Sequence, residues 1–342
     1  TITITTAVLV FAAGAVFALK SAGTANTDKD SADTVVAAAN EATDLVVKET
    51  ASEKETEVIT ETAATEATTE EAFEGEYIVN ADYVKENLDD IILVDARGED
   101  AANKETIKGA IPIAWQYLAT CEDGKSGDAN WGCILDTERL SERLGEKGLD
   151  PNKEIVLFAA AQNGWGDDGR IAWELIAAGY KDVKMVDGGF DALKEAGIET
   201  AKGGSEPKAV DVKIDSIDTT HVINTDELKA NYDDYKVVDV RADEEYDGET
   251  LYGEAKGGHL PGAIHIRYTD LFQKSGMLKS NAEITKMFED AGITKDDKVV
   301  TYCTAGIRSG YMQLILEMCG FKNTQNYDES YYRWCAVEDV EK

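Results

Sequence analysis

The chain has 342 residues, long enough for two domains with cores of their own, and carries a formal net charge of −33. So acidic a balance excludes nucleic acid and anionic membrane surfaces as partners, since both need a cationic footprint. Five cysteines make no disulfide framework at this length, and neither they nor the three histidines (His221, His259, His265) fall at zinc-ligand spacing, so no metal or other cofactor is expected.

Thr1 to Leu19 holds no charged residue, and Lys20 is followed by the small run Gly23-Thr24-Ala25, an acceptable cleavage site. Residues 1–25 therefore read as a signal peptide or membrane anchor, and the protein as exported: secreted, periplasmic, or tethered to the outer face of a membrane. Residues 26–75 read as an acidic low-complexity linker. Asn26 to Glu76 carries fifteen acidic and three basic residues and no aromatic before Phe73, too little apolar surface to offset the entropy of ordering. The remaining charge, about −21 on the folded part, means that an anionic substrate approaches against an unfavourable field.

From Tyr77 onward two repeats emerge. Tyr77-Ile78-Val79-Asn80 matches His221-Val222-Ile223-Asn224, each asparagine placed to cap a short helix. Leu93-Val94-Asp95-Ala96-Arg97 matches Val237-Val238-Asp239-Val240-Arg241, and Glu154 to Ala159 matches Lys298 to Cys303; the offset is 144 residues in both cases. Short apolar strands alternate with helical patterns, which predicts an α/β fold with a parallel sheet covered by helices in each repeat. The repeats divide as residues 76–203 and 204–342, with Gly203-Gly204 and Pro207 in the connection. Cys121 and Cys133 flank a polar insertion in the first repeat and read equally as an exported disulfide or as two free thiols.

Val299 to Tyr302 predicts a buried strand, and Met312, Ile315, Leu316 and Cys319 predict a helix stopped by Gly320. Cys303 thus sits at a strand end, before a small-residue loop that opens a helix. Unpaired N–H groups and the helix dipole favour a thiolate there, Gly306 permits the tight turn, and Arg308 supplies a positive charge. The bland reading, a buried cysteine filling space, has to be weighed against that whole constellation.

Cys303-Thr304-Ala305-Gly306-Ile307-Arg308-Ser309 resembles the active-site loop of rhodanese-like sulfurtransferases. The Asp-x-Arg pairs, Gly258-His259-Leu260-Pro261-Gly262-Ala263, Val186-Asp187-Gly188-Gly189-Phe190 and Tyr327 to Trp334 resemble further signatures of that family, in its order. The resemblance implies two tandem rhodanese-like domains, the second catalytic and the first, with Ala159 in place of the cysteine, an inactive wall of the cleft. It implies Cys303 as nucleophile, with Thr304, Ala305, Gly306, Ile307, Arg308 and Ser309 as the substrate-binding loop. Sulfur would pass from a small anionic donor such as thiosulfate, rather than mercaptopyruvate, to cyanide or a thiol, in a monomeric protein. Related phosphatases carry one more residue between Cys and Arg, so the six residues from Cys303 to Arg308 favour sulfur. Glu245 stands where some family members place a second substrate arginine, a departure that weakens the case for a dianion. His259 reads as a structural residue. The competing class is an exported binding module that carries sulfur or senses redox state without turnover.

Overall fold

The structure, a computed structural model, describes residues 71–342. The apolar stretch of residues 1–25 and residues 26–70 of the acidic segment lie outside the described residues. Among those described, no helix is long and apolar enough to cross a membrane. Phe73 is already buried, and the backbone of Glu74 exchanges hydrogen bonds with the Asn281 side chain.

In chain order the first repeat runs β1 (Ile78–Val79), α1 (Ala81–Asn87), β2 (Ile92–Asp95), α2 (Glu99–Ala102), β3 (Thr106–Ile107), β4 (Ile111–Pro112), α3 (Thr137–Glu146), β5 (Ile155–Phe158), α4 (Asp167–Ala177), β6 (Val183–Val186), α5 (Gly189–Glu195) and β7 (Thr200–Ala201). The second runs β8 (Val222–Ile223), α6 (Thr225–Ala230), β9 (Lys236–Asp239), α7 (Asp243–Tyr246), β10 (Ile264–His265), α8 (Asn281–Asp290), β11 (Lys298–Tyr302), α9 (Ile307–Met318), β12 (Asn323–Tyr327) and α10 (Ser330–Val337). The sheets are parallel and share one topology, β1-β6-β5-β2-β4 in the first and β8-β12-β11-β9-β10 in the second. A short antiparallel ribbon of β3 and β7 closes the first repeat. Asn80 and Asn224 cap α1 and α6, accepting from the N–H groups of Tyr83 and Glu227 at 2.8 and 2.9 Å.

Alternation along the strands separates two faces. In β5, Val156 and Phe158 pack with Val84 of α1 and Leu193 of α5, while Ile155 and Leu157 turn to the other side. That other side is common to both repeats: Ile171 and Leu175 of α4 share one cluster with Met312 and Leu316 of α9 and Val299 of β11. Helices α4 and α9 meet closely enough that a Cβ built on Gly169 would lie 2.6 Å from the Cβ of Tyr311. This shared face brings the end of β11 and the start of α9 against the first repeat.

Candidate active site

Strand β11 ends on Tyr302, whose hydroxyl donates to the Asp239 carboxylate and accepts from the Leu260 N–H at 3.0 Å. The residue after it is Cys303. Its N–H donates to Ser330 Oγ at 2.9 Å, its carbonyl accepts from Tyr331 N at 3.0 Å, and the Thr304 carbonyl accepts from Tyr332 N at 3.1 Å. Ser330 holds this position with φ at +54°, a left-handed conformation rare outside glycine, so its place against Cys303 stores backbone strain.

The loop is short. Gly306, at φ +81°, turns the chain into α9, and a Cβ there would lie 2.7 Å from both Arg170 Nη1 and the Asp328 carbonyl oxygen. Helix α9 therefore begins at Ile307, so Arg308 and Ser309 stand in its first turn. The Ser309 hydroxyl lies 3.7 Å from the Cys303 sulfur and donates to Asn326 Oδ1 at 2.7 Å. Burial pushes the Cys303 thiol up, but the Arg308 charge, the N–H groups of Ser309 and Ala305 and the Ser309 hydroxyl outweigh it. The net result holds the thiol below its ordinary value. Three of the other thiols behave oppositely: burial pushes Cys121 and Cys319 each up to about 11, and Cys133 higher still. All five cysteines are unpaired, Cys121 and Cys133 included.

Cys303 is 1% exposed. A cleft of 360 Å³ reaches the loop at Arg308, walled also by Glu245, Trp165, Tyr252, Tyr268 and Thr269, without Cys303 itself among its lining residues. Trp165, from the loop before α4, lies over the Arg308 guanidinium at 4.8 Å and meets Tyr252 edge-on at 5.1 Å. The two terminal nitrogens of Arg308 do not reach into the loop as a free fork. They donate to Glu245 at 2.7 and 2.8 Å, and Nη2 also donates to Thr304 Oγ1 at 2.8 Å.

The same position in the first repeat is built differently. Ala159 follows β5, the loop is longer, and Gly166, at φ +73°, leads into α4. Asp168 is the second residue of α4 where Arg308 is the second residue of α9. Burial pushes the Asp167 and Asp168 carboxyls up to about 6 and about 7. This half has neither thiol nor cation at its strand end.

Both Asp-x-Arg pairs are ion pairs at strand ends, Arg97 on Asp95 and Arg241 on Asp239, each at 2.7 Å. His259 stacks on the Tyr246 ring at 3.8 Å, with His265 on its other face at 4.3 Å, and bonds the Tyr246 carbonyl through Nδ1. Sequence reasoning missed Arg170, Ser330 and Asp328. Arg170 is fully buried and reaches from α4 to the Gly306 carbonyl at 3.2 Å, to Gly132 at 3.0 Å, and to Asp328 and Glu174. A charged residue on an apolar helix face was the available signal.

Residues 80–196 and 224–337 each match the rhodanese-like domain family. A Mycobacterium leprae protein named "putative thiosulfate sulfurtransferase" is 26% identical over 274 residues, 77% of this chain and 96% of its own. A sulfur carrier protein of Thermus thermophilus is 28% identical over 283 residues, 76% of this chain and 93% of its own. The solved structure of an anaerobic ergothioneine biosynthesis enzyme from Chlorobium limicola is similar in fold, with a TM-score of 0.68 at 21% identity, covering 76% of this chain and 68% of that one. Matched in both halves, the chain belongs to the rhodanese-like domain family, as a tandem protein with a role in sulfur transfer.

Proposed function

We propose that Cys303 carries sulfane sulfur as a persulfide, taken from a sulfane-sulfur donor (thiosulfate or another compound of that class) and passed to a thiophilic acceptor such as cyanide or a thiol. The observation that carries this reading is the place of Cys303 at the end of β11 against the first turn of α9, with the Ser309 hydroxyl 3.7 Å from its sulfur. Burial raises the thiol, but Arg308 and the N–H groups of Ser309 and Ala305 hold it below its ordinary value. In the first step the Cys303 thiolate attacks the outer sulfur of the donor, the S–S bond breaks, and the rest of the donor leaves with the electron pair (sulfite from thiosulfate). In the second, the acceptor attacks the outer sulfur of the persulfide and the thiolate returns. The amides of Ala305 and Ser309 stand where the sulfur charge sits in both states. Thr304, Gly306 and Ile307 shape the loop backbone that presents them.

The test is the intact mass of the purified chain after incubation with a sulfane-sulfur donor. One added sulfur on the wild type and none on Cys303→Ser supports the reading. An equal gain in both removes Cys303 from its role. A second reading, a carrier without turnover, is favoured by the name of the Thermus relative. Catalytic release of sulfite from thiosulfate with cyanide present excludes it; a single stoichiometric loading supports it.

A further inference from the structure

Glu245, on α7, is fully buried. Its Oε1 accepts from Thr304 Oγ1 at 2.6 Å and Arg308 Nη2 at 2.8 Å; its Oε2 accepts from Arg308 Nη1 at 2.7 Å and from the Ala242 N–H at 3.1 Å. Burial pushes the carboxyl up, but Arg308 and these donors hold it below its ordinary value, so it is charged at neutral pH. Arg308 is left with only Nε unpartnered. The other two arginines of the cleft wall are also ion-paired: Arg241 on Asp239, with Nη1 left unpartnered, and Arg267 on Asp243 and Asp270. Glu244 adds a further acid to the same wall. A dianion entering the cleft meets no uncommitted cation, and it must desolvate beside a fixed carboxylate.

We infer that Glu245 sets the choice of donor at Cys303: by holding Arg308 it disfavours a doubly charged donor such as thiosulfate and leaves the site to an organic persulfide of low charge. This rests on the persulfide reading of Cys303 and names its substrate class. With such a donor the Cys303 thiolate attacks the terminal sulfur of R–S–SH, the donor S–S bond breaks, RS⁻ departs, and Cys303–S–SH remains, with atoms and charge conserved.

The experiment measures the rate of sulfur gain at Cys303 in the full chain by intact mass, at one ionic strength, with thiosulfate and with 2-hydroxyethyl persulfide. The wild type should load from the persulfide, at most singly charged, roughly tenfold faster than from the thiosulfate dianion, the scale of one nearby unit charge. Glu245→Gln, which keeps the shape and one acceptor, should move the ratio about tenfold toward thiosulfate, while Glu245→Asp should keep the wild-type ratio. A ratio is used because a merely structural defect slows both donors alike. A wild type that prefers thiosulfate overturns the inference even if Glu245→Gln fails to fold, as does a folded Glu245→Gln with an unchanged ratio. If neither donor adds sulfur to the wild type, the persulfide reading itself falls and takes this one with it.

Discussion

Asp168 shows how one helix position differs between the repeats. It occupies the helix position that Arg308 occupies in the other repeat, but it is buried without a cation and pushed up from 3.8 to about 7. A folded-state value raised above the unfolded one means that the folded chain holds the proton more tightly. The contribution to stability is complete below about pH 4 and is lost as pH rises through about 7. Asp168→Asn should therefore gain on the wild type between pH 5 and pH 8, by on the order of 2 kcal/mol. Urea unfolding of both proteins at the two pH values measures this, since groups common to both cancel in the difference. A constant gap would mean that Asp168 is solvated rather than buried. Arg308, in the equivalent place, is charged and paired with Glu245, so only the second repeat sets a cation beside the residue that follows its strand.

At the scale of elements, the two repeats meet through α4 and α9, and the fit is set by glycine. A Cβ on Gly169 would approach the Cβ and Cα of Tyr311 at 2.6 and 2.7 Å, so Gly169→Ala must push the helices apart. At Gly310, on the facing helix, the nearest atom is Asn326 Nδ2 at 3.5 Å, an ordinary contact. Gly169→Ala should cost about 1–3 kcal/mol by overpacking. Gly310→Ala should be neutral or gain a few tenths to about 1 kcal/mol from helix propensity. Thermal unfolding of the two single mutants checks the pair, and equal shifts would refute the close crossing. The strands and caps around this crossing were legible in the sequence because their signals are local: β-branched runs such as Val299-Val300-Thr301 and capping residues such as Asn80 act over a few neighbours. The loop from Cys303 to Gly306 was legible for the same reason. Which helix face meets which was not, because periodicity names an apolar face without naming its partner. The commitment of Arg308 to Glu245 was hidden likewise, since its partner lies 63 residues upstream and only the fold joins them.

For the whole molecule, the first repeat does more than flank the cleft. Arg170 of α4, with no exposed side-chain surface, donates to the Gly306 carbonyl in the loop of the other repeat and pairs with Asp328 at the end of β12. Asp328 in turn accepts the Ile134 N–H at 3.0 Å, and Glu329 accepts the Asn130 N–H at 2.8 Å, so the insertion of the first repeat is bonded to the segment that leads into Ser330. The amide cradle around Cys303 is thus held from both sides of the duplication. Burial pushes the Glu174 carboxyl up to about 8, and Arg170 is the cation paired with both Glu174 and Asp328. Arg170→Met removes that cation from a dry site. It should cost about 3–5 kcal/mol, the usual penalty for stranding half of a buried pair. Because the Gly306 carbonyl loses its partner at the same time, sulfur gain at Cys303 should fall at temperatures where the variant is still folded. Arg170→Lys, which keeps the charge but not the planar fork, should lie between the two. Urea unfolding of the full chain and intact mass after donor treatment read the two effects separately. A variant within about 1 kcal/mol of wild type, loading sulfur at the wild-type rate, would mean that the second repeat builds its cysteine loop without help from the first.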